Sequence, residues 1–175
     1  MHFSILILLF TISPMQTTVD SQFSVSKGRV GSVHIGMTIP ELLKLYDSTH
    51  IEFGELNSEG NSTPAVKVTY GEQKESFLTL LYEGENDRGI VLRITLYNKR
   101  FRTSKGISVG STLGELRRSY TIRSIEFGMT DLYASVPELS MVFELESSSM
   151  GRDAGRLVRL KQVPDNITIT SIILN

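Results

Sequence analysis

The sequence predicts an α+β fold built from two tandem repeats of about 74 residues, each a short helix followed by a four-stranded antiparallel sheet. Three observations carry this. GMTIPELLKLY at 36–46 and GSTLGELRRSY at 110–120 share the form G-x-T-h-x-E-L-x-x-x-Y, with h aliphatic. The same 74-residue offset carries Ile51-Glu52-Phe53-Gly54 onto Ile125-Glu126-Phe127-Gly128, identical at all four positions. After each of the two helical motifs the apolar pattern changes to period two, the spacing of half-buried strands.

Residues 1–21 read as a signal peptide. Phe3 to Ile12 is an apolar run of about ten residues, too short to span a bilayer. Val19-Asp20-Ser21 then supplies small residues at −3 and −1 of a cleavage site, although the leading segment has no Lys or Arg. Export to the periplasm or medium is expected, with no stable membrane span after cleavage. An uncleaved membrane anchor and a frayed apolar tail on a cytoplasmic protein are the other readings of the same run. Cleavage removes one acidic residue and leaves 18 basic and 18 acidic residues, a formal charge of zero.

The chain has 175 residues and no Cys. That excludes a disulfide framework, a thiolate metal site and a cysteine nucleophile. The neutral charge gives no general attraction to nucleic acid.

Repeat 1 occupies 22–98 and repeat 2 occupies 99–175. Residues 22–32 are rich in Ser and Gly and read as a loose lead-in, with a short strand at Ser32 to Ile35. Thr38 with Glu41, and Thr112 with Glu115, have the spacing of capping boxes and mark two helix starts. Ile39, Leu42, Leu43 and Tyr46 fall on one helical face, as do Leu113, Leu116 and Tyr120. Helices of about ten residues are unstable alone, so each must bury that face on a sheet. Strands follow at Ile51 to Phe53, Ala65 to Tyr70, Phe77 to Tyr82 and Ile90 to Tyr97. Polar breaks at Asn57 to Ser62, Gly71 to Lys74 and Gly84 to Arg88 favour antiparallel hairpins. In the second copy the strands are Ile122 to Phe127, Leu132 to Val136, Met141 to Leu145 and Ile167 to Leu174. Ser147 to Pro164 is either a loop or contains a short helix around Ala154 to Lys161. Lys99 to Lys105 is a join too short to separate two bodies, so the sheets pack together or continue into one another.

A Gly-Met-Thr-x-x-Glu turn into a short helix, followed by an antiparallel sheet, resembles the beta-lactamase inhibitory protein and small outer-membrane lipoprotein fold group. In the inhibitor, two such modules stand in tandem and present a concave sheet face to a partner protein. The resemblance implies a protein-binding scaffold. The lipid-bearing Cys and the disulfides of those families are absent here, and none of their binding residues is carried over.

No set of residues converges on catalysis, cofactor binding or metal binding at the level of sequence. His34 and His50 with Glu52 could in principle hold a metal, but the second copy has Ser108 and Ser124 at the two histidine positions. There is no G-x-S-x-G nucleophile motif. Glu41 and Glu115 are explained by capping. Glu52 and Glu126 recur as a pair and could serve acid–base chemistry, yet they alternate with Ile and Phe and so read as outward strand positions. Gly54 and Gly128 read as a bulge, turn or close approach. Tyr46 and Tyr120 read as core. The carboxylates from Glu83 to Asp87 read as a solvated hairpin without the EF-hand spacing. Asn61-Ser-Thr63 and Asn166-Ile-Thr168 fit glycosylation acceptors in a eukaryotic secretory pathway.

Charge is polarised along the chain. Lys99 to Arg123 carries a net +6, and Glu52 to Asp87 a net −6. Lys99, Arg100, Arg102, Arg117, Arg118 and Arg123 are therefore candidates for a basic patch that meets a protein or an anionic envelope component. Only Phe101 interleaves with the basic run, so nucleic-acid binding is not expected. The expectation is an exported, non-enzymatic binding or scaffold protein that uses a sheet face or the groove between repeats. The alternative is a small hydrolase-like enzyme with a carboxylate site between the repeats.

Overall fold

The computed structural model describes residues 21–58, 60–70, 75–84, 88–128, 131–147, 157–158 and 162–175. Residues 1–20, 71–74, 85–87 and most of 148–161 lie outside these, and with them the signal reading, the break at Gly71 to Lys74 and the carboxylate loop after Gly84. The architecture is α+β, with two short helices and a majority of strands in two sheets.

Both helices begin as the capping boxes predict. α1 (Ile39–Leu45) starts at Thr38 and α2 (Leu113–Ser119) at Thr112, each with the reciprocal Thr–Glu hydrogen bonds in place. Ahead of each cap a glycine takes a left-handed conformation, Gly36 at φ +84° and Gly110 at φ +86°, where a side chain would be strained. The helical faces differ from each other. Leu113, Leu116 and Tyr120 are buried, but on α1 only Ile39 and Leu42 are, while Tyr46 is half-buried and Leu43 is 44% exposed. Leu43 lies at the margin of that face, at the position where the second copy has Arg117.

The strands that follow α1 are β4 (Ile51–Ser58), β5 (Asn61–Tyr70), β6 (Glu75–Glu83) and β7 (Ile90–Leu96). Those that follow α2 are β9 (Ser124–Phe127), β10 (Leu132–Val136), β11 (Met141–Leu145), β12 (Leu157–Val158) and β13 (Ile169–Leu174). They make one nine-stranded sheet in the order β12-β9-β10-β11-β13-β7-β6-β5-β4, not two sheets of four. The join is antiparallel pairing of β13 with β7, with Ile172 opposite Leu96 and Leu174 opposite Ile94. The break expected at Asn57 to Ser62 is narrower, because β4 and β5 pair as far as Ser58 and Asn61. The helix considered around Ala154 to Lys161 is not formed at Leu157 and Val158, which pair instead with Glu126 and Ile125 of β9.

The presumed loose lead-in is also structured. β1 (Ser24–Ser26), β2 (Arg29–Val30) and β3 (Val33–His34) form a small sheet with β8 (Arg102–Thr103), which runs parallel to β1. The join between the halves therefore contributes a strand. These pieces are two or three residues long, too short to show a period in sequence.

One face of the large sheet is covered. Val66, Val68, Leu78, Leu80, Ile94 and Leu96 from the first half, and Met141, Phe143, Ile172 and Leu174 from the second, share that face by register. They form a single buried cluster with Ile39 and Leu42 of α1, Leu113 and Leu116 of α2, and Val25, Val30 and Val33 of the small sheet. The central strands of each half also dock on the loops that open the helices. The Gly36 and Gly110 N–H groups donate to the carbonyls of Val91 and Ile169, both at 2.8 Å. The Ile39 and Leu113 N–H groups donate to the carbonyls of Gly89 and Ile167, at 2.9 and 2.8 Å.

Candidate functional site

Among the described residues, the other face of the nine-stranded sheet has neither helix nor small sheet over it. Its side chains run from Glu52 and Lys67 through Thr79 and Thr95 to Ile173 and Val142, each opposite the next in the ladder. This alternation of buried apolar and half-exposed residues is what the period-two pattern demands of a sheet with one face open.

Two features stand on that face. At the β4 end lies a depression of about 580 Å³, lined by Glu52, Phe53, Glu55, Leu56, Lys67 and Tyr97 around a floor of Gly54, Ala65 and Thr79. Such a volume falls within the range of about 300–1,000 Å³ usual for ligand clefts. Leu56 is 45% exposed and Tyr97 46%, while Phe53, 51% exposed at the strand edge, stands opposite Val66 and so belongs to the other side of the sheet. Toward the middle, Tyr97 and Tyr133 flank Glu144, which accepts a hydrogen bond from the Ser171 hydroxyl. Partial burial, and then the Glu144 carboxylate, push both tyrosines above the ordinary phenol range. Beyond them Arg123, Ser124, Glu126 and Ser135 line a second, more polar hollow with Tyr133 and Val142.

The paired carboxylates do not meet. Glu52 lies on β4 and Glu126 on β9, seven strand positions apart in the sheet. At about 4.8 Å per strand that is roughly 34 Å, too far for shared acid–base work. Glu41 and Glu115 serve the caps. Their carboxyls are held below the ordinary range by the backbone N–H and then the hydroxyl of Thr38 and Thr112. His34 sits on β3 with Nδ1 at 2.9 Å from the Ile35 carbonyl oxygen, and His50 sits in a 3-10 turn with Nδ1 at 3.3 Å from the Thr49 hydroxyl. Among the described residues no three metal-ligating side chains cluster.

The basic candidates are divided among separate settings. Lys99 is exposed in the turn after β7. Arg100 lies over two rings, 3.9 Å from the centroid of Phe23 and 4.8 Å from that of Tyr70. These belong to an aromatic cluster with Phe77 and Phe101. Arg102 donates to the Gly106 carbonyl at 3.1 Å and, with exposed Arg118, faces Glu115. Arg117 donates to the Val163 carbonyl at 3.1 Å and pairs with Asp165. Arg123 alone of the six borders the open face. The sequence reading did not single out Tyr97, Tyr133, Glu144, or the opposition of Gly54 to Ala65. Tyrosines at the outward positions of alternating strands were the available signal.

The two repeated glycines also separate. A Cβ at Gly128 would stand 2.5 Å from Tyr133 Cε2, so that glycine makes room for a ring. A Cβ at Gly54 would meet nothing within 4 Å. Tyr46 and Tyr120 are half-buried and buried. Tyr120 also carries the Lys105 ammonium 4.4 Å from its ring centroid.

No family model matches the chain, and no curated protein matches it. Among solved structures it is similar to the crystal structure of the uncharacterized protein yfeY from Escherichia coli. The TM-score is 0.60 at 14% identity, covering 87% of this chain and 99% of that one. Likeness at that identity concerns the fold alone.

Proposed function

We propose that the chain is an exported, non-enzymatic binding protein that engages a partner protein on the open face of its nine-stranded sheet. The observation that carries this is the face itself. Among the described residues neither helix nor small sheet lies over it, and it presents exposed Tyr97 and Leu56 around a small-residue depression. Exposed aromatic and aliphatic side chains grouped on one face mark interaction surfaces in otherwise well-buried proteins.

The scaffold under that face is read as two tandem repeats, each a helix with four principal strands. Matching backbone bonds support this: Gly36 to Val91 against Gly110 to Ile169, and Ile39 to Gly89 against Leu113 to Ile167. The strand order agrees, since β9-β10-β11-β13 meets β7-β6-β5-β4 with the last strand of each set at the centre. The resemblance to the beta-lactamase inhibitory protein group belongs to the same proposal, through its uncovered sheet face. Export rests on the apolar run Phe3 to Ile12 and the small residues before Gln22. Among the described residues no helix is long and apolar enough to cross a membrane.

The test is affinity capture from an envelope or secreted fraction, comparing wild type with Tyr97→Asp and Tyr133→Asp. The proposal expects a protein retained by wild type and lost from both variants at unchanged melting temperature. Equal capture by all three proteins would overturn it.

A further inference from the structure

β4 is the long edge of the large sheet. It has β5 on one side and no described strand on the other. In an antiparallel ladder about half of an edge strand's N–H and C=O groups point to the free side, a template for another chain. Edges are ordinarily blunted by charged side chains, especially Lys, by Pro, by a bulge or by short length; the two charges of β4 are both carboxylates, Glu52 and Glu55. β4 has eight residues with no Lys, Arg or Pro, and its register with β5 is unbroken from Ile51↔Val68 to Ser58↔Asn61.

Gly54 is a second, independent observation. It is not among the positive-φ glycines and a Cβ there has open space, so neither conformation nor packing within the chain requires glycine. It stands opposite Ala65, and the two small residues floor the depression beside Leu56 and Tyr97. Charge then decides the occupant. Glu52 and Glu55 are both exposed and point to opposite faces; Lys67 stands opposite Glu52 on the β5 side, Glu55 accepts from the Ser62 hydroxyl, and β4 itself contributes no cation toward its free side. A second copy of β4 would bring a strand of the same charge alongside.

We infer that the free edge of β4 receives an extended segment of a partner protein carrying two Lys or Arg residues three apart with apolar residues between them. The segment's backbone continues the ladder, as in strand addition to sheet edges. Its two cations point to opposite faces and meet Glu52 and Glu55, and an apolar side chain seats over Gly54 and Ala65. This rests on the open face being the binding surface, and adds the edge and the chemistry of the partner.

The probe is a synthetic peptide of β4's length containing Lys-Leu-Val-Lys, with a control in which Glu replaces both Lys. The Lys peptide is expected to slow amide exchange within Ile51–Ser58. Its affinity should fall roughly tenfold or more in Gly54→Leu, which fills the seat, and by a similar factor in Glu52→Lys/Glu55→Lys. A thermal melt of each variant establishes that it is folded. Equal binding of the Lys and Glu peptides, binding unaltered by both variants, or protection confined to other strands would each overturn the inference. So would a wild-type dimer in sedimentation that Gly54→Leu dissociates, because a second copy would then occupy the edge. Partner capture lost in Tyr133→Asp but intact in Gly54→Leu overturns this inference while sparing the open-face reading. Lys-peptide binding at β4 with capture indifferent to Tyr97→Asp and Tyr133→Asp does the reverse.

Discussion

Thr112 and Glu115 hold each other at the start of α2: the Thr112 N–H donates to Glu115 Oε2 at 2.7 Å, and the Glu115 N–H donates to Thr112 Oγ1 at 3.2 Å. Thr38 and Glu41 repeat the arrangement at 2.9 and 3.4 Å. Removing either hydroxyl leaves a first-turn N–H without its acceptor. Thr38→Ala and Thr112→Ala should each lower stability by about 1 kcal/mol, measured by denaturant unfolding. Unchanged midpoints in both would mean the caps contribute nothing.

The same bonds make the caps sensitive to acid. Because the Thr N–H and hydroxyl hold the Glu41 and Glu115 carboxyls below their ordinary range, ionised carboxylates favour the folded state. That contribution is complete above the unfolded value, near 4.3, and is lost as pH falls through the lower folded values. The melting temperature gap between wild type and Glu41→Ala/Glu115→Ala should therefore be widest near neutrality and narrow toward pH 3. A gap independent of pH would contradict this.

Leu42 and Leu43 are neighbours in sequence with opposite fates. Leu42 is fully buried and Leu43 is 44% exposed. Leu42→Ala should cost about 2–5 kcal/mol through the lost contacts and the cavity left behind. Leu43→Ala should stay within about 0.5 kcal/mol. Comparable losses in chemical denaturation would place α1 in a different rotation.

Arg100 is explained by its own surroundings, over the rings of Phe23 and Tyr70. Arg100→Ala should cost on the order of 1 kcal/mol, seen as a lower unfolding midpoint, while partner capture by the folded variant stays at the wild-type level. Lost capture at unchanged stability would return Arg100 to a binding role.

Local chemistry was legible in the chain. Both capping boxes lie within one helical turn, so spacing and residue type suffice to specify them. The strands from Ala65 onward show period two because each buries one face. Gly54 and Gly128 look equivalent in sequence, but one leaves room for Tyr133 and the other faces open space. That difference depends on the neighbouring strand: Gly54 pairs with Ala65 inside the ladder, while Gly128 follows the end of β9 beside the Tyr133 ring. The candidate site was less visible for the same reason. Tyr97 follows β7, Tyr133 lies on β10 and Glu144 on β11, and nothing local relates them.

By itself, then, the sequence determined the α+β class, the two helix starts, most strand positions and the polarity of the open face. These follow from hydrogen bonds and burial patterns that close within a few residues. Only the tertiary structure decided that β13 pairs with β7 to make one sheet, that β1, β2, β3 and β8 form a second, and that β4 is left as a long free edge. Period two tells the faces of a strand apart, but it carries no information on which distant strand supplies the ladder partner.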